Sequence, residues 1–443
     1  MHFCFWTNAE HAKSFRILER KCSAKMAAQS TIASVKQAPK QHPAPKMFRV
    51  DRSSTLIFSL LLVCVSMFLD VLGAQEAKPA AKNYFVKLVC ESADKIVTVR
   101  FDGTSATIVA TANTRILQSD ISGPHGIVFS PDKKTYFVSI GHGRPFGFAV
   151  KYSANDDREI GQLQLGMFPA TADFSPDGNF VYIVNFNLHG DPVPSSVSVV
   201  DSNVLLEVAR IPTCVMPHGS RVSRDGLHQY SACMMDDELV EVDAERMKVA
   251  RTFRLTKGSE QGFDGLIPHE STGNSSAMNR AATDHGADHA AMSMTMNANA
   301  CSPTWAQPSV DGKSIWVACN KSNEIVEVDA GKWSLVRRIP AGNGVYNLGV
   351  SPDGKYLMAT NKRDASASIF DAASGSELAR LKTRRKVVHG VVVSPDSRVA
   401  FVTVEGIGSE PGTVEIIDLL ARKTVATVDV PEQAAGIDFW KVE

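Results

Sequence analysis

Residues 171–185 read Thr171-Ala-Asp-Phe-Ser175-Pro-Asp-Gly178-Asn-Phe-Val-Tyr-Ile-Val-Asn185, and this stretch decides the fold. Pro176 and Asp177 suit the first positions of a tight turn, and Gly178 suits the position that needs a left-handed backbone. An apolar segment enters the turn, and a β-rich run leaves it. The stretch therefore predicts two antiparallel strands joined by a short turn.

The same turn recurs along the chain. Its six copies are Ser130-Pro131-Asp132, Ser175-Pro176-Asp177-Gly178, Ser223-Arg224-Asp225-Gly226, Ser309-Val310-Asp311-Gly312, Ser351-Pro352-Asp353-Gly354 and Ser394-Pro395-Asp396. The aspartates are 45, 48, 86, 42 and 43 residues apart, so the long step contains one repeat and an insertion. A period near 40–45 residues with turn chemistry in every copy is typical of a β-propeller, in which each repeat forms a four-stranded blade.

The two ends of the chain supply a seventh repeat. Six full units begin near Gly123, Met167, Val215, Cys301, Asn343 and Val387. Residues 84–113 carry three strands without a preceding turn, and residues 435–439 resemble the missing first strand. We therefore predict an all-β fold over residues 84–443. It is a seven-bladed β-propeller of four-stranded antiparallel blades, closed by pairing of the N- and C-terminal segments, which leaves no long sheet edge open.

The N-terminal region predicts export. Residues 47–74 have the pattern of a secretory signal peptide, with a basic start, an apolar run and small residues before a cleavage point near Ala74. Residues 75–83 form a linker, and residues 1–46 form a basic extension that suggests Met47 as the true start. We expect a periplasmic or secreted bacterial protein without a membrane span after cleavage. An uncleaved N-terminal anchor is the alternative.

Composition narrows the class of partner. The 443 residues include 47 basic and 47 acidic side chains, so the formal net charge is zero. A nucleic-acid partner would need a basic surface, so none is expected. The sequence contains no serine nucleophile elbow and no phosphate-binding loop. We expect a monomer.

Since we predict export, the cysteines of the mature chain are expected to form structural disulfides. Cys214 and Cys233 are 19 residues apart, and Cys301 and Cys319 are 18 apart. In an oxidising compartment each pair could form a disulfide at the top of its own blade, where we define the top as the face on which the first strands begin. Cys90, the remaining one of the five cysteines that follow the signal peptide, is then free.

The Ser-Pro-Asp-Gly turns and the strands Tyr182-Ile-Val-Asn185 and Met358-Ala-Thr-Asn361 resemble the YVTN family of β-propeller repeat proteins. The resemblance covers residues 84–443 and implies an exported propeller of unassigned activity. More distantly, the chain is similar to the propellers of nitrous oxide reductase and of the haem d1 domain of nitrite reductase, which use histidines at the propeller axis. It lacks their Cys-x-x-Cys-His haem site and second domain, which puts direct catalysis of those reactions in doubt.

Histidines gather at one position of the repeat. Counting back seven residues from each turn aspartate places His125, His218 and His389, together with Tyr346, at the first position of strand one. These side chains should face the channel at one height. His142 and His189 follow the second strands and belong to loops on the same face. A lone histidine here is more often a hydrogen-bonded turn residue, whereas three at one height predict a metal or ligand site.

The insertion, residues 258–300, shows no strand pattern and predicts a long loop on the top face. It contains His285 and His289, followed by Met292, Met294 and Met296. Thioether and imidazole ligands suit copper, with methionine favouring Cu(I). Low-complexity sequence without a metal is the alternative.

Three classes of function follow. The first is a metal-binding propeller, with copper favoured, that serves a periplasmic redox or metal-handling protein; the second is an enzyme of the lactonase or lyase kind; the third is a non-catalytic interaction scaffold. The clustering of histidines favours the first.

Overall fold

Each repeat turn is closed by its own side chains. The Ser175 hydroxyl donates to Asp177 Oδ1 at 2.5 Å, and Asp177 accepts the Asn179 N–H at 3.1 Å. Gly178 donates its N–H to the Ser175 carbonyl and has φ +76°, which glycine adopts without steric cost. The computed structural model of the protein describes four ranges of the chain, residues 82–116, 120–142, 147–268 and 298–443, and the repeat turns lie within them.

Seven antiparallel sheets make up the described residues. The first three strands are β1 (Tyr84–Cys90), β2 (Lys95–Phe101) and β3 (Ala106–Asn113). Blade 1 contains β4 (Pro124–Phe129), β5 (Thr135–Ile140), β6 (Phe148–Ser153) and β7 (Glu159–Gln164). Blade 2 contains β8 (Pro169–Phe174), β9 (Phe180–Asn185), β10 (Pro194–Asp201) and β11 (Leu206–Val215). Blade 3 contains β12 (Pro217–Val222), β13 (His228–Cys233), β14 (Glu238–Asp243), β15 (Lys248–Arg254) and β16 (Gln261–Asp264).

The remaining blades follow the same order. Blade 4 contains β17 (Pro303–Pro308), β18 (Ser314–Cys319), β19 (Glu324–Asp329) and β20 (Ser334–Pro340). Blade 5 contains β21 (Val345–Val350), β22 (Tyr356–Asn361), β23 (Ser366–Asp371) and β24 (Glu377–Lys382). Blade 6 contains β25 (Val387–Val393), β26 (Val399–Glu405), β27 (Gly412–Asp418) and β28 (Lys423–Val430). The C-terminal strand is β29 (Ala434–Val442). No helix in these ranges is long and apolar enough to cross a membrane.

The ring closes as the sequence predicts. Strand β29 pairs antiparallel with β1, and β1, β2 and β3 complete blade 7 around it. The inner strands β4, β8, β12, β17, β21, β25 and β29 contact one another in that order, and β29 returns to β4. Apolar side chains fill the seams; for example, Phe101 of blade 7 packs edge-on against Phe401 of blade 6. The protein is a seven-bladed β-propeller.

The structure corrects the prediction that the insertion contains no strand. Residues 261–264 form β16, which pairs with β15 as a fifth strand of blade 3, although the sequence pattern predicts no strand after residue 258. Its glycine, Gly262, lies against Trp333 of the next blade, so packing across a blade seam supports a strand that has little apolar pattern of its own. Residues 269–297 lie outside the described residues.

Two disulfides lie at the top of the propeller. One joins Cys301 to Cys319 within blade 4. The other joins Cys214 to Cys233, but it connects blade 2 to blade 3 and does not staple a single blade, because β11 continues through Cys214 as the outer strand of blade 2. Cys90 is free and buried, and burial raises the pKa of its thiol.

Candidate functional site

Four side chains form a four-sided ring at the top of the channel. The ring centroids are 6.0 Å apart for His125 and His218, 5.4 Å for His218 and Tyr346, 5.0 Å for Tyr346 and His389, and 5.5 Å for His389 and His125. All four side chains are buried. We call His125, His218, Tyr346 and His389 the channel ring. The sequence predicted that these residues share one position of the repeat, and the structure brings them into contact.

Hydroxyl groups fix the backbone of this layer. Thr360 accepts the Asn347 N–H in blade 5 and donates to the carbonyl of His389 in blade 6. Thr403 in blade 6 and Ser139 in blade 1 bridge to the following blade in the same way. Because each hydroxyl joins two blades, it sets the height of the channel-ring residue relative to its neighbour.

Glycine follows each histidine of the channel ring for a steric reason. A Cβ atom on Gly126 would lie 2.2 Å from the carbonyl oxygen of Ala170, and one on Gly219 would lie 2.3 Å from that of Thr304. The recurring His-Gly pair therefore combines a side chain that faces the channel with a residue that lets the next blade approach closely.

Each imidazole is oriented through one of its nitrogens. His125 Nδ1 lies 3.1 Å from Glu91 Oε2. His218 Nδ1 donates to the Thr304 carbonyl at 2.9 Å, so its Nε2 accepts the Tyr346 hydroxyl at 3.0 Å. His389 Nε2 lies 3.5 Å from that hydroxyl and 3.9 Å from a carboxylate oxygen of Glu405. The positions of all three rings are thus set by oxygen atoms.

Three charged residues of the site were missed in the sequence. Glu91 and Lys362 directly follow the second strands of blades 7 and 5, Glu405 ends the second strand of blade 6, and all three surround the channel ring from above. Lys362 Nζ lies 3.4 Å from Glu405 Oε1 and 4.4 Å from the centroid of the Tyr346 ring. They share one repeat position, nine residues after the turn aspartate in blades 5 and 6, so aligning the repeats at the ends of the second strands would have found them.

Burial and neighbouring charges set the protonation of the site. Burial alone would raise the pKa of Glu91, but His125 and His142 outweigh it and hold that pKa well below its usual range. Burial and the charge of Lys362 lower the pKa of His389 well below its usual range, so this imidazole is neutral at pH 7. Burial raises the pKa of Tyr346 to about 12.

A cavity of about 30 Å³, lined by polar and apolar side chains, lies directly below the channel ring. Four buried atoms around it have no hydrogen-bond partner: His125 Nε2, His389 Nδ1, Asn347 Oδ1 and Trp305 Nε1. Buried polar atoms normally have a partner in the protein, a water molecule or an ion. Such a cavity holds about two water molecules or a single ion.

A larger cavity, about 510 Å³, lies between blades 3 and 4 on the face of the propeller opposite the channel ring. Several of its charged groups already have partners. Arg251 forms a bidentate pair with Glu241, and Asp225 and Asp311 cap their own turns. Among the described residues, the lining of the larger cavity has one buried polar atom without a hydrogen-bond partner, His228 Nδ1, against four around the smaller cavity, so the smaller cavity at the channel ring is the better candidate for a functional site.

The remaining predicted residues fall into two groups. His142 Nε2 lies 3.0 Å from Glu91 Oε1, and the ring of His189 is 5.7 Å from that of His142, so both stand above the channel ring. His285, His289, Met292, Met294 and Met296 lie outside the described residues. Within the described ranges, histidine, cysteine, aspartate and glutamate alone form no group of three that could hold a metal ion.

Comparisons with known proteins establish the fold and no family. No family model matches the chain, and no curated protein matches it. A functionally unknown protein from Desulfotomaculum acetoxidans DSM 771 superposes with a TM-score of 0.56 at 13% identity, over 80% of this chain and 98% of that one. The β-propeller domain of Myceliophteria thermophila Cps50 (Swd1) gives 0.50 at 12% identity, over 71% and 88%. Hydrazine synthase from Kuenenia stuttgartiensis gives 0.39 at 18% identity, over 72% and 97%.

Proposed function

We propose that this propeller binds a metal ion, with copper favoured, at the channel ring. One observation carries the proposal: His125 and His218 each direct Nδ1 to an oxygen atom, of Glu91 and of the Thr304 backbone, which leaves Nε2 as the nitrogen that could bind a metal. Metal-binding histidines are held in this way by carboxylates and backbone carbonyls, which fix the tautomer and orient the ring.

The channel ring is slightly wider than a metal site with imidazole ligands, so its side chains would move inward to bind an ion. A metal ion binds imidazole nitrogen at about 2.0–2.1 Å, which places it about 3.2 Å from the ring centroid. For a square ring, edges of 5.0–6.0 Å place the centre about 3.9 Å from the centroids. An inward movement of about 0.7 Å per imidazole would therefore form the site.

The chemistry of the donors favours copper among biological metals. Imidazole suits copper, zinc, iron and nickel, and a divalent site of this kind binds copper most tightly. The neutral state of His389 leaves a nitrogen lone pair free for a metal at pH 7. We propose that His285, His289, Met292, Met294 and Met296 assist capture, and that the exported protein supplies metal to a periplasmic redox or metal-handling protein.

Metal binding is tested on the full chain by calorimetric titration with Cu(II), and by metal analysis of protein isolated from the periplasm. We expect one copper ion per chain and at least about tenfold weaker binding in His218→Ala, because second-sphere losses alone cost that much. His228→Ala is the control, since His228 lies at the other end of the propeller beside the larger cavity. If wild-type protein binds copper, zinc and nickel no tighter than about 10 μM, the proposal is wrong and the lyase and scaffold functions move ahead.

A further inference from the structure

The fourth side of the channel ring is a phenol whose oxygen lies where a ligand atom would lie. Tyr346 Oη is 3.0 Å from His218 Nε2 and 3.5 Å from His389 Nε2. Two ligand atoms at about 2.0 Å from one ion are about 2.8–3.5 Å apart when the angle between the bonds is 90–120°. The two distances therefore match neighbouring ligands of a single ion.

The hydrogen bond between Tyr346 and His218 also occupies the lone pair that a metal needs. His218 Nδ1 donates to the Thr304 carbonyl, so the lone pair of the imidazole is on Nε2, which accepts the hydrogen bond of the phenol. A metal ion can reach this nitrogen only if the hydroxyl proton leaves the space between the two side chains. The oxygen that loses the proton is then beside the ion.

Burial and the carboxylates Glu405 and Glu91 raise the pKa of Tyr346, whereas Lys362 lowers it, so deprotonation depends on the added ion. Lys362 Nζ lies 4.4 Å from the Tyr346 ring centroid, and all four channel-ring side chains are buried. A divalent ion added beside Lys362 would leave excess positive charge in a site with little water, which is costly. A phenolate would offset part of that charge together with the carboxylates Glu91 and Glu405.

We infer that Tyr346 is the fourth ligand of the channel-ring metal site, bound as phenolate, and that the site therefore selects Cu(II) over Cu(I). This inference rests on the proposed metal-binding function. On binding, one bond forms between copper and Tyr346 Oη, the phenol proton passes to solvent, and copper keeps its oxidation state. Phenolate is a hard oxygen donor, whereas Cu(I) prefers soft sulfur ligands. The ligand set becomes three imidazoles and one phenolate, and a bound cation makes the deprotonation favourable.

The test is visible spectroscopy of the full chain titrated with copper(II) sulfate. We expect wild-type protein to gain a phenolate-to-Cu(II) charge-transfer band that Tyr346→Phe lacks although it still binds copper. The affinity of Tyr346→Phe for Cu(II) should be about tenfold lower than that of wild-type protein, and its affinity for Cu(I) should be unchanged. Tyr356→Phe is the matched control, because this half-buried tyrosine lies in the same blade, on the neighbouring strand; it should keep the band.

Each result decides the inference. Wild-type protein that binds one Cu(II) without the band, or Tyr346→Phe with an unchanged band, overturns the phenolate ligand and leaves the metal site in place. Wild-type protein that binds no copper overturns both. Should Tyr346→Phe fail to fold, resonance Raman spectra of wild-type protein decide the question, since they contain tyrosinate vibrations only if Tyr346 binds the metal.

Discussion

At the scale of single residues, a buried ion pair joins the two ends of the ring. Lys87 on β1 is almost fully buried, and its Nζ lies 2.7 Å from Asp157 Oδ1 in blade 1 and 2.7 Å from Thr98 Oγ1. Asp157 also accepts the hydroxyl of Tyr136, and the ring of Trp440 lies 4.8 Å from the ammonium group. Since these groups satisfy one another, the charges are retained inside an otherwise apolar seam.

Removing one member of this pair should destabilise the propeller strongly. We expect Asp157→Ala to lower the free energy of unfolding by about 3–5 kcal/mol, because it leaves the Lys87 ammonium buried without its partner. In the double variant Lys87→Met/Asp157→Ala the loss should be smaller than the sum of the single losses. Urea unfolding measures all three, with Lys134→Met, an exposed site, as the control. A loss below about 1 kcal/mol in Asp157→Ala would show that the pair contributes little.

These residues also show which features of the structure can be predicted from the sequence. The turns and the height of the channel ring follow from local sequence, because the repeat fixes them. The partnership of Lys87 and Asp157 does not, since 70 residues separate them and both faces of a blade are buried against neighbours. Glu91, Lys362 and Glu405 were missed for a related reason: a charged residue after a strand is usually solvated, and only ring closure buries it.

At the scale of elements, the aspartates of the repeat turns make the stability of each turn depend on pH. The Ser175 hydroxyl and the backbone N–H of Asn179 stabilise the carboxylate of Asp177 and lower its pKa. Asp132, Asp225 and Asp311 accept a serine hydroxyl and a backbone N–H in the same way, with pKa values lowered in the same direction. Each turn is therefore stronger when its aspartate is charged.

We expect Asp177→Asn to remove a pH-dependent part of the stability. The folded-state pKa lies below the unfolded value of about 3.9, so the charge stabilises the fold above that pH and the contribution is lost as the pH falls through the folded value. The variant should be less stable than wild type by under about 1 kcal/mol at pH 6, and the difference should disappear at low pH as the carboxylate of Asp177 becomes protonated. Urea unfolding across this range measures the difference, and Asp191→Asn, in an exposed loop, should show none. A gap of constant size would contradict the assignment.

The seams vary from blade to blade. Gly178 would place a Cβ atom 3.4 Å from Pro131 of the preceding turn, and Gly226 would place one 2.9 Å from Pro176. At the seam between blades 3 and 4 the proline is replaced by Arg224, and a Cβ atom on Gly312 would meet nothing within 4 Å. The cavity of about 510 Å³ opens at this seam, because no proline ring fills it.

At the scale of the whole molecule, ring closure depends on one strand. Strand β29 pairs with β1 from Tyr84↔Val442 to Cys90↔Ala434 and contacts the inner strands of both neighbouring blades, β25 and β4. Ile437 and Phe439 are buried, and Ala435 occupies the place in the channel layer that histidine takes in three other blades. The strand therefore holds blades 6, 7 and 1 together and also completes the wall around the channel ring.

Deleting residues 434–443 should open the ring. The deletion exposes the edge of β1 and removes the buried side chains of Ile437 and Phe439, each of which contributes about 1.5–3 kcal/mol. Unpaired strand edges promote association, so the truncated chain should aggregate on size-exclusion chromatography and unfold at lower temperature. Val442→Ala, a substitution at the exposed end of the same strand, should leave both properties unchanged. Adding a synthetic peptide of residues 432–443 should restore the monomer, because the missing strand can pair with β1 in trans. A truncated protein that stays monomeric, with the melting temperature of the full chain, would show that blade 7 is stable without β29 and that closure does not depend on the C-terminal strand.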